Sequence, residues 1–320
     1  MMTQHMLLLM GVPSELPLRM AIEAAEKLDV PHVVFNQRES QFTDLYMEIR
    51  NGIPAGVLRI HGCDYPLDGF TGVYVRVMDY QDLPENRLRE RAGVEPERVE
   101  KSVLLHEALF EWLEVARCRV MNRNSDMASN VSKPYQAQWI TRAGFKTPPT
   151  LISNDPDEVR GFLKAHRQVV FKSISSVRSI VRPLSDIKVD DLDRVRHLPT
   201  QFQAFVPGVN IRVHVVGEEV FATEIQTEAV DYRYASRDEV DLKMSPTALP
   251  ADVEARCLQL SRNLRLPLCG IDLKRSPDHE YYCFEVNPSP GYSYYQANTG
   301  QDIASAIVRS LSQPVSTMDE

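Results

Sequence analysis

The sequence contains no C-x-x-C pair, and its five cysteines, Cys63, Cys118, Cys257, Cys269 and Cys283, are odd in number. That usage supports neither a disulfide framework nor a structural zinc site, and it fits a reducing compartment. No apolar run approaches the length of a membrane span,. The opening MMTQHMLLLMGVPSE lacks a basic region and a small-residue cleavage site, so it predicts a first strand rather than a signal peptide,. A cytoplasmic chain is the expectation. Positive charge is not in excess: 36 Lys and Arg stand against 44 Asp and Glu, a formal net charge of −8. A nucleic-acid surface is normally basic, so neither nucleic acid nor membrane is an expected partner, although a local basic groove stays open. No G-x-G-x-x-G follows the first apolar strand, which removes support for a dinucleotide site. Repeats and low-complexity tracts are absent too.

What is present is ordinary globular composition, 43% hydrophobic and 25% charged, in a length that suits two or three domains,. MLLLMGV (6–12) reads as a buried strand, and Leu18, Ile22 and Ala25 then follow helical spacing,. HVVFNQ (32–37), VLRIHG (57–62) and GVYVRV (72–77) read as further strands of a small, partly parallel α/β sheet,. Arg76 ends the last of these, either as a substrate anchor or in a surface ion pair. Residues 80–98 are polar and read as a solvated loop or exposed helix. Leu105, Leu109, Trp112 and Ala116 share one face of a helix over 99–118, and CRVMN (118–122) is a strand. A first domain closes near residue 125.

Ser132 is placed to cap a helix carrying Pro134 in its first turn, with Gly144 ending it,. Asp155-Pro156-Asp157-Glu158 opens another helix as a capping box,. Val169-Val170-Phe171 is strand-like, and Lys172 follows it directly. Residues 200–227 read as three strands, and Val253, Cys257, Leu260 and Leu264 mark a helix over 251–266,. TGQDIASAIVRSL (299–311) is a last helix.

The stretch with the most chemistry is CGIDLKRSPDHEYYCFEVNPSPG (269–291), two strands joined by a turn,. Glu285 and Asn287 are two apart on one strand and face the same side, and Asp272 joins them from the neighbouring strand. Two carboxylates and an amide oxygen make a hard oxygen site suited to Mg²⁺ with phosphate oxygens.

An Asp on one strand followed by Glu-x-Asn-Pro-Ser-Pro-Gly on the next resembles the metal-binding end of ATP-grasp carboxylate–amine ligases. The resemblance is to the branch with RimK-type glutamate ligases and the ligases that cross-link graspetides. It runs in order from Asn130 to Leu311. It implies an α/β (α+β ATP-grasp) fold: an N-terminal α/β domain over 1–125, a central lobe over 126–200 and a C-terminal lobe with the metal site over 201–320. It implies ATP and Mg²⁺ as cofactors. Asp272, Glu285 and Asn287 match the metal positions, and Lys133 and Lys172 match lysines that contact the nucleotide. Gln203, Ala204, Phe205 and Val206 match the hinge that pairs the adenine edge with backbone groups, with Ala204 where an acidic residue is usual. Asn210-Ile211-Arg212 resembles Asp-Ile-Arg and makes Arg212 the phosphate-facing catalytic arginine.

One departure is plain. The family's glycine-rich loop would fall after Lys172, and this chain has no glycine from 172 to 184. Ser175, Ser176 and Arg178 offer hydroxyl and guanidinium contacts to phosphate instead, while Arg178 or Arg182 could serve the substrate. Tyr232 and Arg233 match a substrate-facing segment, and the cluster around Tyr292 either stacks on substrate or belongs to the core.

The resemblance implies an ATP-dependent ligase that activates a peptide or protein carboxylate as an acyl phosphate. The carboxyl would then join an amine or hydroxyl, releasing ADP and phosphate. A small amino-acid or dipeptide ligase and a catalytically inactive ATP-binding module are the alternatives. A homodimer is expected by analogy.

Overall fold

The computed structural model describes residues 5–84, 96–173, 182–183, 189–227 and 242–314. Strand β1 (Met6–Gly11) is buried on both sides, with Leu7, Leu8, Leu9 and Met10 all at 0% exposure. Burial of that kind is what a central parallel strand requires. It lies between β2 (His32–Asn36) and β6 (Phe70–Arg76), both parallel to it, and β7 (Arg119–Met121) completes the order β2-β1-β6-β7. Alternation sends Leu7 and Leu9 to one core, shared with helix α1 (Leu16–Lys27), and Leu8 and Met10 to another,. The second core holds Leu105, Leu109, Trp112 and Ala116, all from helix α2 (Pro96–Val115) and the residue after it.

Three antiparallel strands, β3 (Thr43–Arg50), β4 (Ile53–Ile60) and β5 (Cys63–Pro66), are inserted between β2 and β6. The first hairpin turns on Asn51-Gly52, both at positive φ (51° and 79°), as a tight two-residue turn requires,. Only the 57–62 part of this sheet is expected from the sequence.

After the short helix α3 (Asn124–Met127), helix α4 (Lys133–Arg142) starts where expected: the Tyr135 N–H donates to Ser132 Oγ at 3.4 Å. The chain leaves α4 through Gly144 at φ +85°. A four-stranded antiparallel sheet follows, ordered β10-β9-β11-β8 from β8 (Thr150–Ser153), β9 (Val169–Ser173), β10 (Arg182–Pro183) and β11 (Thr200–Ala204). Helix α5 (Pro156–Ala165) covers one face, its Asp155 cap accepting from the Asp157 N–H at 2.9 Å. The core here is Val159, Val169, Leu192 and Phe202. β11 pairs within this central sheet, so Gln201 to Ala204, expected in the C-terminal lobe, belong with the central strands.

The third large sheet is antiparallel and five-stranded, ordered β14-β13-β12-β15-β16. Its strands are β12 (Val209–Val216), β13 (Glu219–Gln226), β14 (Lys243–Thr247), β15 (Leu268–Arg275) and β16 (Tyr281–Asn287). Helix α6 (Ala251–Asn263) presses Val253, Cys257 and Leu260 onto one face, where Leu264 joins them beside Ile211, Val213, Ile271 and Leu273. Helices α7 (Ser293–Thr299) and α8 (Ile303–Ser312) return the chain to the first sheet. Contact there is close: a Cβ on Gly72 of β6 would stand 2.4 Å from the Leu311 carbonyl oxygen,.

Candidate active site

One face of the five-stranded sheet is apolar and the other is not. Ile211, Val213 and Val215 of β12 and Cys269, Ile271 and Leu273 of β15 all enter the core. Their neighbours Asn210, Arg212 and His214, and Gly270, Asp272 and Lys274, therefore share the opposite face. On β16, Cys283 and Val286 both enter the core, so Phe284 and Glu285 both point away from it. Two consecutive side chains on one face violate strict alternation. The cause is a register shift: Glu285 pairs with Asp272, but Cys283 pairs with Leu273, leaving Phe284 as the extra residue of a β-bulge.

That register puts Asp272 directly opposite Glu285, and Gly270 opposite Asn287. Arg212 is opposite Asp272 on its other side. Its Nη1 donates to Asp272 Oδ1 at 2.7 Å, with side-chain exposures of only 6% and 16%. Gly270 is required here, because a Cβ would fall 2.0 Å from Arg212 Nη2. The Arg212 guanidinium also lies over the Tyr295 ring at 5.7 Å,. Lys133, from the first turn of α4, reaches Glu285 Oε2 at 3.2 Å and Asn130 Oδ1 at 3.2 Å. Two carboxylates and two cations thus meet on one face. Asn287 Oδ1 accepts the Ser289 N–H at 2.9 Å, which fixes its amide.

Two buried amides brace this hairpin from behind, and sequence reading gave neither a role of this kind. Gln136 makes a two-bond clamp on the Val286 backbone: Nε2 donates to the carbonyl at 2.7 Å and Oε1 accepts the N–H at 2.9 Å. Asn122 Nδ2 donates to the Leu268 and Pro288 carbonyls, each at 2.6 Å. Their signal in the sequence was a polar residue amid apolar helix or strand positions, which is unspecific. His214 is fully buried, edge-on to Tyr295 at 4.8 Å between ring centroids. Burial first, and the Arg212 charge second, push its pKa well below 6.5,.

In the central sheet, Phe171 and Phe202 face the core, so Lys172 and its cross-strand partner Gln201 share the other face with Gln203,. Gln203 Nε2 donates to Thr150 Oγ1 at 3.1 Å. The N–H groups of Ala204 and Phe205 are bonded to the Pro149 and Gln168 carbonyls, both at 2.9 Å. Those two donors of the 203–206 segment are therefore committed to the fold. Val206 is buried, and Phe205 meets the Lys274 ammonium of the neighbouring sheet at 5.0 Å.

For two residues the sequence leaves open between substrate contact and structure, the fold decides for structure. Tyr292 is fully buried, and its hydroxyl donates to the Pro17 carbonyl at 2.5 Å; it is core, and Tyr294 is the exposed ring of the cluster. Arg76 is held by Glu15 and by Ser289 Oγ at 2.8 Å, tying the end of β6 to the Asn-Pro-Ser-Pro turn. Its ion pair is structural and largely buried. Arg182 joins β10 by backbone pairing with Phe171. Ser175, Ser176, Arg178, Tyr232 and Arg233 lie outside the described residues.

Residues 131–311, more than half of the sequence, match the RimK-like ATP-grasp domain. The chain belongs to this family of ATP-grasp ligases. A protein of Pseudomonas aeruginosa described as a probable alpha-L-glutamate ligase is 24% identical over 279 residues, covering 83% of each chain. Among solved structures, the Chryseobacterium gregarium RiPP-associated ATP-grasp ligase, in complex with ADP and a leader and core peptide, superposes with a TM-score of 0.78. It is 23% identical and covers 96% of both chains. The ATP-grasp ligase PsnB, complexed with a variant of its minimal precursor, Mg and ADP, gives a TM-score of 0.74 at 20% identity, covering 96% of this chain and 97% of that one. The RimK-like match begins at Val131 and so includes Lys133 and the whole β15–β16 hairpin. No described helix is long and apolar enough to cross a membrane.

Proposed function

We propose that this ATP-grasp ligase activates the carboxylate of a peptide as an acyl phosphate and joins it to an amine or hydroxyl. The observation that carries the reading is the convergence of Arg212, Lys133, Asp272, Glu285 and Asn287 on one sheet face. Hard oxygens from facing residues fit Mg²⁺, and the cations already there fit phosphate. Asp272, Glu285 and Asn287 would hold the ion, which supplies neutralisation of the phosphate oxygens. Arg212, set by Asp272 and Tyr295, stabilises charge on the phosphoryl group as it moves. Lys172 and the 203–206 segment hold the nucleotide from the central sheet and the residues that follow it.

In the first step a substrate carboxylate oxygen attacks the γ-phosphorus and the bond to the β-phosphate oxygen breaks, releasing ADP. In the second, an amine or hydroxyl attacks the acyl carbon. The acyl C–O bond breaks, phosphate leaves, and the nucleophile loses its proton. The protein contributes mainly position and charge.

Peptide as substrate is supported by the peptide-bound ligases that share this fold over nearly the whole chain. A second reading, addition of an amino acid to a carboxyl, is favoured by the glutamate-ligase description of the sequence relative. One experiment separates them. The protein is incubated with ATP, Mg²⁺ and either the peptide or the small-molecule fraction of a cell extract, and products are weighed by mass spectrometry. Loss of water from a peptide indicates an internal cross-link, and gain of an amino-acid residue indicates tailing. ADP formation driven by the small-molecule fraction alone contradicts the peptide reading.

A further inference from the structure

Lys274 lies on the site face of β15, two residues beyond Asp272, and is 8% exposed. Its Nζ stands 5.0 Å from the Phe205 ring centroid and 5.9 Å from that of Phe284. Arg212 and Lys133 on the same face each hold a carboxylate. Lys274 makes no ion pair and no hydrogen bond with any of the described residues. Two ring faces replace only part of an ammonium's lost hydration. A charge so placed is satisfied by an acceptor that a ligand brings.

Position says which acceptor. Asp272 marks the phosphate end of the site and Phe205 marks the base end. Lys274 is about 7 Å from Asp272 along the strand and is in contact with Phe205. The part of a nucleoside triphosphate between its base and its metal-held phosphates is the ribose with the α-phosphate. The bulge at Phe284 makes this possible, because it brings an apolar ring onto the site face beside the ammonium. Water kept off by the two rings strengthens a charge-assisted hydrogen bond at that point.

We propose that Lys274 is a nucleotide-binding residue that donates to the ribose–α-phosphate segment of ATP, between the hinge ring Phe205 and the bulge ring Phe284. This rests on the nucleotide reading given above. A ligand held so contacts both sheets at once, since Phe205 follows the central sheet and Lys274 belongs to the five-stranded one.

The test uses Lys274→Met, which keeps the chain's length and its contact with both rings but removes the charge. Affinities for AMP, ADP and ATP are measured by calorimetry with and without Mg²⁺, and the melting temperature is followed without nucleotide. The expected result is about tenfold weaker binding of all three nucleotides, independent of Mg²⁺, with the nucleotide-free melting temperature equal to or above that of the parent. Lys274→Arg should restore most of the affinity. A lower melting temperature with unchanged affinities would make Lys274 a packing residue and overturn the inference. Weaker binding of ATP but not of AMP would move it to the metal end and also overturn it. A parent protein that binds no adenine nucleotide contradicts the nucleotide reading itself. A parent that binds, with Lys274→Met binding equally well, contradicts this inference alone. Lys274→Gln gives the same readouts if the methionine variant fails to fold.

Discussion

Asp272 and Glu285 face each other across the β15–β16 pair, and each is held by a cation from a different element, Arg212 of β12 and Lys133 of α4. Two facing carboxylates would repel if left alone. The cations cancel that repulsion and fix both side chains. In the proposed reaction the same four groups would divide between a metal ion and the phosphates with little movement of the backbone, because the sheet sets their positions.

Glu285→Gln removes one of these charges without changing shape. Turnover measured as ADP release should fall by about a hundredfold or more, while the melting temperature stays close to the parent value. ADP release at the parent rate would remove this hairpin from the reaction.

Gly270→Ala tests the path of Arg212. The added methyl would stand 2.0 Å from Nη2, so the guanidinium must leave Asp272 or the strands must part. A stability loss of about 1–3 kcal/mol is expected from overpacking, together with loss of turnover. Chemical denaturation and ADP release measure the two effects, and full activity at full stability would contradict the described path.

Gln136→Leu tests the brace behind the hairpin. It strips the buried Val286 N–H and carbonyl of their partners at 2.9 and 2.7 Å. The expected cost is about 2–4 kcal/mol, from two unsatisfied backbone groups. The Mg²⁺ concentration for half-maximal ADP release should rise in parallel. A change in stability with no change in Mg²⁺ dependence would limit Gln136 to the fold.

The elements that were legible in the sequence are those with one strong period. β1 is a run of apolar residues and is buried on both faces; α2 shows its stripe of Leu105, Leu109 and Trp112. The alternation of Glu285 and Asn287 gave their common face because the bulge lies before Glu285, not between the two. The same rule fails at Phe284, since a bulge has no signature in the side chains that form it. Lys274 was invisible for that reason: its surroundings come from Phe284 and from Phe205 of another segment. Tyr292 stayed open between ligand contact and core because an aromatic cluster reads alike inside and outside, and its full burial and bond to Pro17 decide for core. The β3–β4 hairpin was missed although Asn51-Gly52 announces it,.

His214 gives the protein an acid-sensitive stability. It is neutral when folded, whereas in the unfolded chain it takes up a proton below about pH 6.5. The unfolded state then binds more protons, so stability is present above pH 6.5 and falls as pH drops below it. The slope from this one group is at most about 1.4 kcal/mol per pH unit. Urea unfolding of the parent and of His214→Gln at pH 7.5 and pH 5.5 measures it. The variant should lose less stability on acidification, and an equal loss in both proteins would assign the effect elsewhere.

In the proposed reaction Arg212 and the Asp272–Glu285–Asn287 face serve phosphoryl transfer to a carboxylate. This role is tested most directly by the nucleotide product. Protein, ATP, Mg²⁺ and a peptide fraction are incubated with hydroxylamine, and nucleotides, phosphate and hydroxamate are followed together. ADP and orthophosphate should appear in equal amounts, only with acceptor present, with the activated carboxyl trapped as a hydroxamate. Acceptor-dependent AMP and pyrophosphate would contradict the acyl-phosphate route.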